Sequence, residues 1–322
     1  MPGSYIIPIM RRISTHAAVI VALGLLGFVP SLADGLEKTM AFDVEKPLPL
    51  PSLAGQGEPL ADLTLENLFS AGWSDRWAKR PHPDGTPDLT LLRVQSNLLL
   101  QSLRTDAYLE NPTSASGDKR VEYASPLIEY ALNRRLMLGG FGTIQEVDKQ
   151  AGGGRNGWTY GGLTRIQLID REDASYAFNW KLTAPNRGLG DRQTLSGFAL
   201  AGWHDLSPVG LSHVGVYWHV QEETLLGPRT PSARQNDLTY DLSLARTWTS
   251  PVRAIGNLST FVEAYSKTDL DGGHRGRTVI TVTPGIRGTL GRHHVLMFGV
   301  DLPVNSPRPY DELYRVTYIF SF

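Results

Sequence analysis

Few residues of this chain stand at spacings that could do chemistry. Ser212-His213 sets a nucleophile beside a base, but adjacent residues of a strand point to opposite faces, so the two side chains diverge. His293-His294 fails for the same reason. His213 and His219 share a face, yet six residues of strand hold them roughly 20 Å apart, too far to share a metal. Asp269-Leu270-Asp271-Gly272-Gly273 opens like a calcium loop but lacks the later ligands and the closing glutamate, so it reads as an ordinary turn. With no cysteine in 322 residues, a thiol nucleophile, Cys-ligated zinc, an iron–sulfur cluster and a disulfide scaffold are all excluded. No catalytic, metal or cofactor site is expected, and no enzyme. An enzymatic alternative would need a His, Ser or carboxylate cluster converging from different strands.

What the polar residues offer instead is the lining of a cavity. Arg93, Gln95, Asn97, Arg165, Gln167, Asn179, Lys181, His213, His219, Asp241, Arg287 and Arg315 occur at alternate positions of runs whose other positions are apolar. Gln101, Gln221, Ser243, Glu263, Lys267, Thr281 and Asp301 fall in the same phase. Together they describe a hydrated interior of mixed charge. Its side chains either pair across a narrow lumen and hold it shut, or line a path for solute.

The elements that must position them are strands. In Tyr176-Ala177-Phe178-Asn179-Trp180-Lys181-Leu182 one face is aromatic and aliphatic and the other carries Ala, Asn and Lys. Twelve such runs are expected, near 91–104, 120–132, 136–146, 158–169, 175–183, 194–204, 213–221, 238–248, 258–267, 278–290, 294–303 and 313–322. Pro284 inside the tenth marks a bulge or a distortion of the sheet. Most runs reach the roughly 9–11 residues that a tilted strand needs to cross hydrocarbon, and longer links alternate moderately with shorter ones. A β-sandwich would also alternate, but it would not turn Tyr176, Phe178 and Trp180 toward water. The predicted fold is therefore all-β: an antiparallel up-and-down transmembrane β-barrel of about 12 strands with a short N-terminal periplasmic extension containing one helix.

Export is expected from the first residues. Arg11-Arg12, the 13 uncharged and mostly apolar residues Ala17–Val29, and Ser31-Leu32-Ala33 make a secretory signal peptide over 1–33. No later run is long enough for a membrane-spanning helix. The 31 basic and 32 acidic residues leave no basic field for nucleic acid, and removal of Arg11 and Arg12 brings the formal charge to −3. Residues 34–90 form a periplasmic extension or plug, and 91–322 the barrel. In the extension, Pro47, Pro49 and Pro51 stiffen the chain. Beyond them Asp62 can cap a helix on which Leu65, Phe69, Trp73 and Trp77 recur at spacing four. That helix is a rim element, an interfacial element, a plug that enters the lumen and gates it, or a docking site for a periplasmic partner.

The C-terminus carries a further signal. Tyr314, Val316, Tyr318, Phe320 and Phe322 share one face, and this closing strand resembles the signal read by the outer-membrane assembly machinery, with Tyr318, Phe320 and Phe322 as its core. No Ser-Asn-Gly run follows a histidine, as the signature of the outer-membrane phospholipases would require. The stretch Thr283-Pro284-Gly285-Ile286-Arg287-Gly288 through Gly299-Val300-Asp301-Leu302-Pro303-Val304, with the final aromatic strand, resembles outer-membrane proteins of the meta-pathway phenol-degradation family. The resemblance covers about the last 45 residues and implies a channel for small, often hydrophobic or aromatic, molecules. The expectation is a monomeric, porin-like channel of the Gram-negative cell outer membrane that passes small solutes passively. Its partners are the lipid bilayer, the assembly machinery and a small-molecule solute. A closed structural or adhesive barrel acting through its surface loops is the alternative, and a barrel enzyme the second.

Overall fold

The computed structural model describes residues 60–80, 87–111, 119–148, 155–184, 194–226, 236–249, 255–291, 293–306 and 308–322. The predicted signal peptide and the prolines at 47, 49 and 51 lie outside the described residues. Twelve strands follow in chain order: β1 Gln101–Asn111, β2 Lys119–Ala131, β3 Leu136–Asp148, β4 Arg155–Asp170, β5 Ala174–Thr183 and β6 Thr194–Asp205. The second half comprises β7 Val214–Leu226, β8 Asn236–Thr249, β9 Ile255–Asp269, β10 Thr278–Leu290, β11 His294–Pro303 and β12 Glu312–Ser321. Each is antiparallel to its neighbours, and β1 pairs with β12, with Thr105 opposite Tyr318, to close the sheet into a barrel. Closure leaves no edge strand among the described residues, so apart from local register shifts the ladder groups of the wall pair with neighbouring strands rather than with water.

Alternation decides which way each side chain points. On β11 Phe298 is 45% exposed while its neighbour Met297 is fully buried. Trp158, Tyr160, Trp180, Phe198, Leu242 and Leu296 are likewise exposed on the outer wall. An apolar face continuous around a closed barrel is a lipid-facing face, because in water it would far exceed the patches soluble proteins tolerate. Aromatic contacts stud its rims: Trp158 stacks on Tyr160 at one end, and Tyr176 lies against His204 and Trp218 at the other.

On the inner face small residues stand among the large side chains of Trp203, Tyr217, Phe261 and Met297. Ser102, Ala131, Ala177, Ala201, Ser243 and Ala245 are buried on the inner face. Gly285 makes room for the ring of Phe261, and Gly299 for the side chain of Leu92, since an added Cβ at either would meet those groups.

Three sequence expectations shift. The first strand begins at Gln101, ten residues after the run that suggested it, because 91–100 is extended chain inside the lumen rather than wall. The stretch carrying Leu65, Phe69, Trp73 and Trp77 is a succession of turns and bends and not a helix. Its spacing-four pattern comes from turn residues that face different surroundings: Phe69 is 90% exposed, whereas Trp77 packs on buried Leu99 and donates to its carbonyl at 3.1 Å. Pro284 keeps its place in β10 without a bulge. The ladder to β9 runs through it in register, and pairing with β11 resumes at Gly285 opposite Gly299 in the register of Val282 opposite Leu302.

Candidate functional site

The site is the lumen, and its central feature is a segment of the chain itself. Residues 87–100 run as irregular, extended chain inside the barrel. Leu89, Leu91, Leu92 and Val94 pack there with Trp203, Tyr217, Ala245, Phe261, Val295, Met297 and Ile319. Such a segment has no ladder partner, so wall side chains must satisfy its backbone. Arg104 donates to the carbonyls of Leu91 and Leu92, at 3.1 and 3.0 Å. Glu263 accepts the N–H groups of Arg93 and Val94, each at 3.0 Å, and His219 Nδ1 accepts that of Gln95 at 3.0 Å. Further along, Arg165 donates to the carbonyl of Leu98, and Tyr217 to that of Pro87 at 2.8 Å.

The side chains of the plug are held as well. Arg93 forms an ion pair with Asp301, and its guanidinium lies 3.7 Å from the ring centroid of Tyr265. Asp301 also takes the guanidinium of Arg315 at 2.7 Å and the hydroxyl of Thr283 at 2.6 Å. Gln95 donates to Gln221 at 2.9 Å, and Asn97 bridges Asp88 and Ser175, at 2.6 and 2.8 Å. Arg165 pairs with Glu129 at 3.2 Å and with Asn179 at 2.5 Å.

At this depth the lumen is filled. All twelve strands contribute a buried inward residue, from Ser102, Glu129, Met137 and Arg165 round to Thr283, Asp301 and Thr317. Nearer the end with the longer links, the inward residues Tyr108, Phe141, Lys181, Gln221, Tyr265 and Lys267 are only half buried and line the part of the lumen above the plug, its vestibule. Lys181 sits over Phe141 and Arg315 over Tyr108 on its walls, while Lys267 pairs with Asp237 at 3.1 Å.

At the other end residues 61–80 form a collar over the short turns. Leu63 pairs through its backbone with Asp170 at the end of β4. The fully buried Arg135, in the β2–β3 turn, donates to the carbonyls of Ala71, Gln167, Leu168, Thr64 and Asn67 and to Asn67 Oδ1. Arg80 and Arg134 share Asp170, each at 3.1 Å, and both also donate to the carbonyl of Ala61. Leu65, Phe69 and Trp73 point away from these contacts and are exposed. Asp88, outside the strands at the base of the plug, is buried, and that burial pushes its carboxyl up to about 7 against the opposing pull of Asn97 and Lys79.

The predicted lining residues divide accordingly. Arg165, Gln167, Asn179, Lys181, His219, Asp241, Arg287 and Arg315 stand on the strands as inner-wall positions. Arg93, Gln95 and Asn97 belong to the plug, because their run is inside the barrel and not part of it. His213 is not in the lumen: it lies in the β6–β7 turn with a φ of 63°, exposed, and Ser212 is in the same turn. His293 and His294 bond the carbonyl of Ser321 and the hydroxyl of Tyr318, at 2.8 and 2.7 Å. Asp271 ties β8 to the β9–β10 turn by accepting from the backbone and side chain of Asn236. Tyr318, Phe320 and Phe322 are at the end of the closing strand, where the Phe320 and Phe322 rings lie 6.3 Å apart. Among the described residues no group of three His, Asp or Glu side chains is placed to hold a metal.

The plug itself was legible in one detail. Leu91-Leu92 and Leu98-Leu99-Leu100 break the period of two, as an irregular chain with apolar surroundings on several sides allows and a half-wet strand does not. The roles of Arg104 and Arg135 carried no such signal, since a guanidinium that bonds distant carbonyls has no local pattern.

The molecule is a plugged transmembrane barrel. No protein-family model matches the chain, and no curated protein matches its sequence. Solved structures that resemble it include the KdgM porin, 11% identical over 69% of this chain and 99% of that one with a TM-score of 0.43. The NanC porin is 9% identical over 69% and 99%, with a TM-score of 0.45. The COG4313 outer membrane channel from Pseudomonas putida F1 is 13% identical over 70% and 97%, with a TM-score of 0.47. The architecture assigned to this chain rests on its own strand ladder. The likeness of its C-terminal stretch to the phenol-degradation proteins stays a resemblance.

Proposed function

We propose that this protein is an outer-membrane channel for passive passage of small solutes, closed in this state by its own residues 87–100. One observation carries the reading: the lumen is wide enough for a stretch of chain that enters and folds back, with Asn97 bonded to Asp88, and that stretch is held by hydrogen bonds and ion pairs rather than by a covalent link. A lumen that accommodates a polypeptide becomes a pore when the polypeptide moves. In this reading the short-turn end faces the periplasm and the vestibule the exterior, the usual orientation of such barrels. The closing strand with Tyr318, Phe320 and Phe322 serves the assembly machinery, and the barrel works as a monomer. Small hydrophobic or aromatic molecules are one class of solute in this reading, favoured by the rings of Tyr108, Phe141 and Tyr265 around the vestibule.

The filled lumen favours a second reading, a closed barrel that acts through its surface loops. Conductance in lipid bilayers separates the two. The channel reading expects openings from the refolded protein, with small ions, sugars and small aromatics compared as solutes. Glu263→Ala, which removes two charge-assisted bonds to the plug backbone, should raise the open fraction about tenfold or more. A cysteine pair at Leu92 and Gly299, bridged by oxidation or a short crosslinker in this cysteine-free chain, should silence it reversibly. A correctly folded barrel that is silent in the wild type and in Glu263→Ala would replace the channel with the second reading.

A further inference from the structure

The inner wall of β8, β9 and β11 carries three carboxylates, Asp241, Glu263 and Asp301, each at most 3% exposed. The guanidinium that the wall bonds to any of them is that of Arg315, on Asp301. The other cation at this place is Arg93, and it belongs to the plug. Arg104 on β1 pairs with Asp106 at 2.8 Å while it bonds the plug carbonyls of Leu91 and Leu92, and Lys267 pairs with Asp237. Neither carboxylate oxygen of Asp241 has a hydrogen-bond partner among the described residues. It stands in register between His219 on β7 and Tyr265 on β9.

Arg93 therefore occupies a cavity built for a planar cation. Asp301 supplies the ion pair, the face of Tyr265 at 3.7 Å supplies the stacking surface, and Asp241 supplies acceptors that Arg93 leaves unused. When the plug leaves, Asp241, Glu263, Asp301 and Asp106 are left with two wall guanidiniums, those of Arg315 and Arg104, and the site lacks the positive charge that Arg93 supplied. An anion would be repelled by these carboxylates.

We propose that Arg93 is a tethered surrogate for the solute, and that the site formed by Asp301, Tyr265 and Asp241 accepts small organic cations of the alkylguanidinium or alkylammonium class. This rests on the channel reading, because the site lies on the path that the plug closes. A solute cation arriving from the vestibule competes with Arg93 for the same acceptors and so favours release of the plug. The open lumen selects cations over anions.

The test uses the full chain carrying Arg93→Ala, with Arg93→Met as a second variant that keeps the bulk of the side-chain stem. Folding of each is checked by the mobility of unheated protein on a gel. Ethylguanidinium and ethylammonium should bind the folded variants saturably by calorimetry. Binding should be at least tenfold weaker in the wild type, where Arg93 fills the site, and in Arg93→Ala with Asp301→Asn. In bilayers the Arg93 variants should show a cation-selective reversal potential in a salt gradient. Propionate binding as well as ethylguanidinium, anion selectivity, or no saturable binding in either folded variant would overturn the proposal. Binding by a barrel that stays silent would keep the site and sink the channel; conductance without binding would do the reverse.

Discussion

At the scale of single residues, the plug is governed by how buried polar groups find partners. Asp88 illustrates the cost of an imperfect solution. It accepts from Asn97, but its second oxygen has no hydrogen-bond partner among the described residues, and burial raises its carboxyl from the ordinary 3.8 to about 7. In the docked plug the neutral form is favoured, and on release the group returns to its ordinary value. Docking is therefore strongest in acid, weakens as the pH rises from about 4 to about 7, and changes little above that. Open probability in bilayers should rise across this window and Asp88→Asn should flatten the rise; a wild-type profile that falls or stays level would contradict the assignment. The same logic explains why Arg93, Gln95 and Asn97 were legible as luminal but not as plug: their polarity and phase suit a lumen, and phase is the same on either side of it.

At the scale of elements, the collar is the least regular part of the described chain and depends on one side chain. Arg135 uses its guanidinium fork to gather carbonyls from both the collar and the end of β4, so that one residue ties an irregular segment to the wall. Arg135→Ala leaves those buried carbonyls without a donor, at a cost of about 1–3 kcal/mol for each group left unsatisfied. The expected result is local: trypsin should cut after Arg76 or Lys79 in the variant at least tenfold faster than in the wild type, while the barrel stays intact. Arg135→Lys should fall between them, because an ammonium carries three donors and lacks the planar fork. Equal cleavage of all three would mean that the collar is held by Arg80, Arg134 and Asp170 instead. A helix was expected here from the spacing of four and from Asp62 as its cap. Local turns do close, with the N–H of Ala71 on the carbonyl of Asn67, but they do not propagate into a helix, because the backbones of Ala61 and Leu63 on one side and the side chain of Arg80 on the other are bonded to the β2–β3 and β4–β5 turns.

At the scale of the whole molecule, closure of the sheet by β1 and β12 makes the barrel a single cooperative unit in which no strand can leave without unpairing two ladders. Unheated protein in detergent should therefore migrate apart from boiled protein on a gel, and a single unchanged band would refute the closed barrel. The alternation that builds this wall is written residue by residue. Tyr176, Phe178 and Trp180 against Ala177, Asn179 and Lys181 need no knowledge of their neighbours to say which side meets lipid, and eleven of the twelve strands lie within a few residues of where the period of two places them. The sequence by itself thus determined a membrane barrel with a polar interior, because a local period of two is all that such a wall requires. Only the tertiary structure decided that residues 87–100 stand inside it, that Arg104, His219 and Glu263 grip their backbone, and that Arg93 fills an acidic site across 208 positions of chain from Asp301. Those contacts join residues far apart in sequence through side chains whose reach leaves no periodic trace, so only the closed sheet could bring them together.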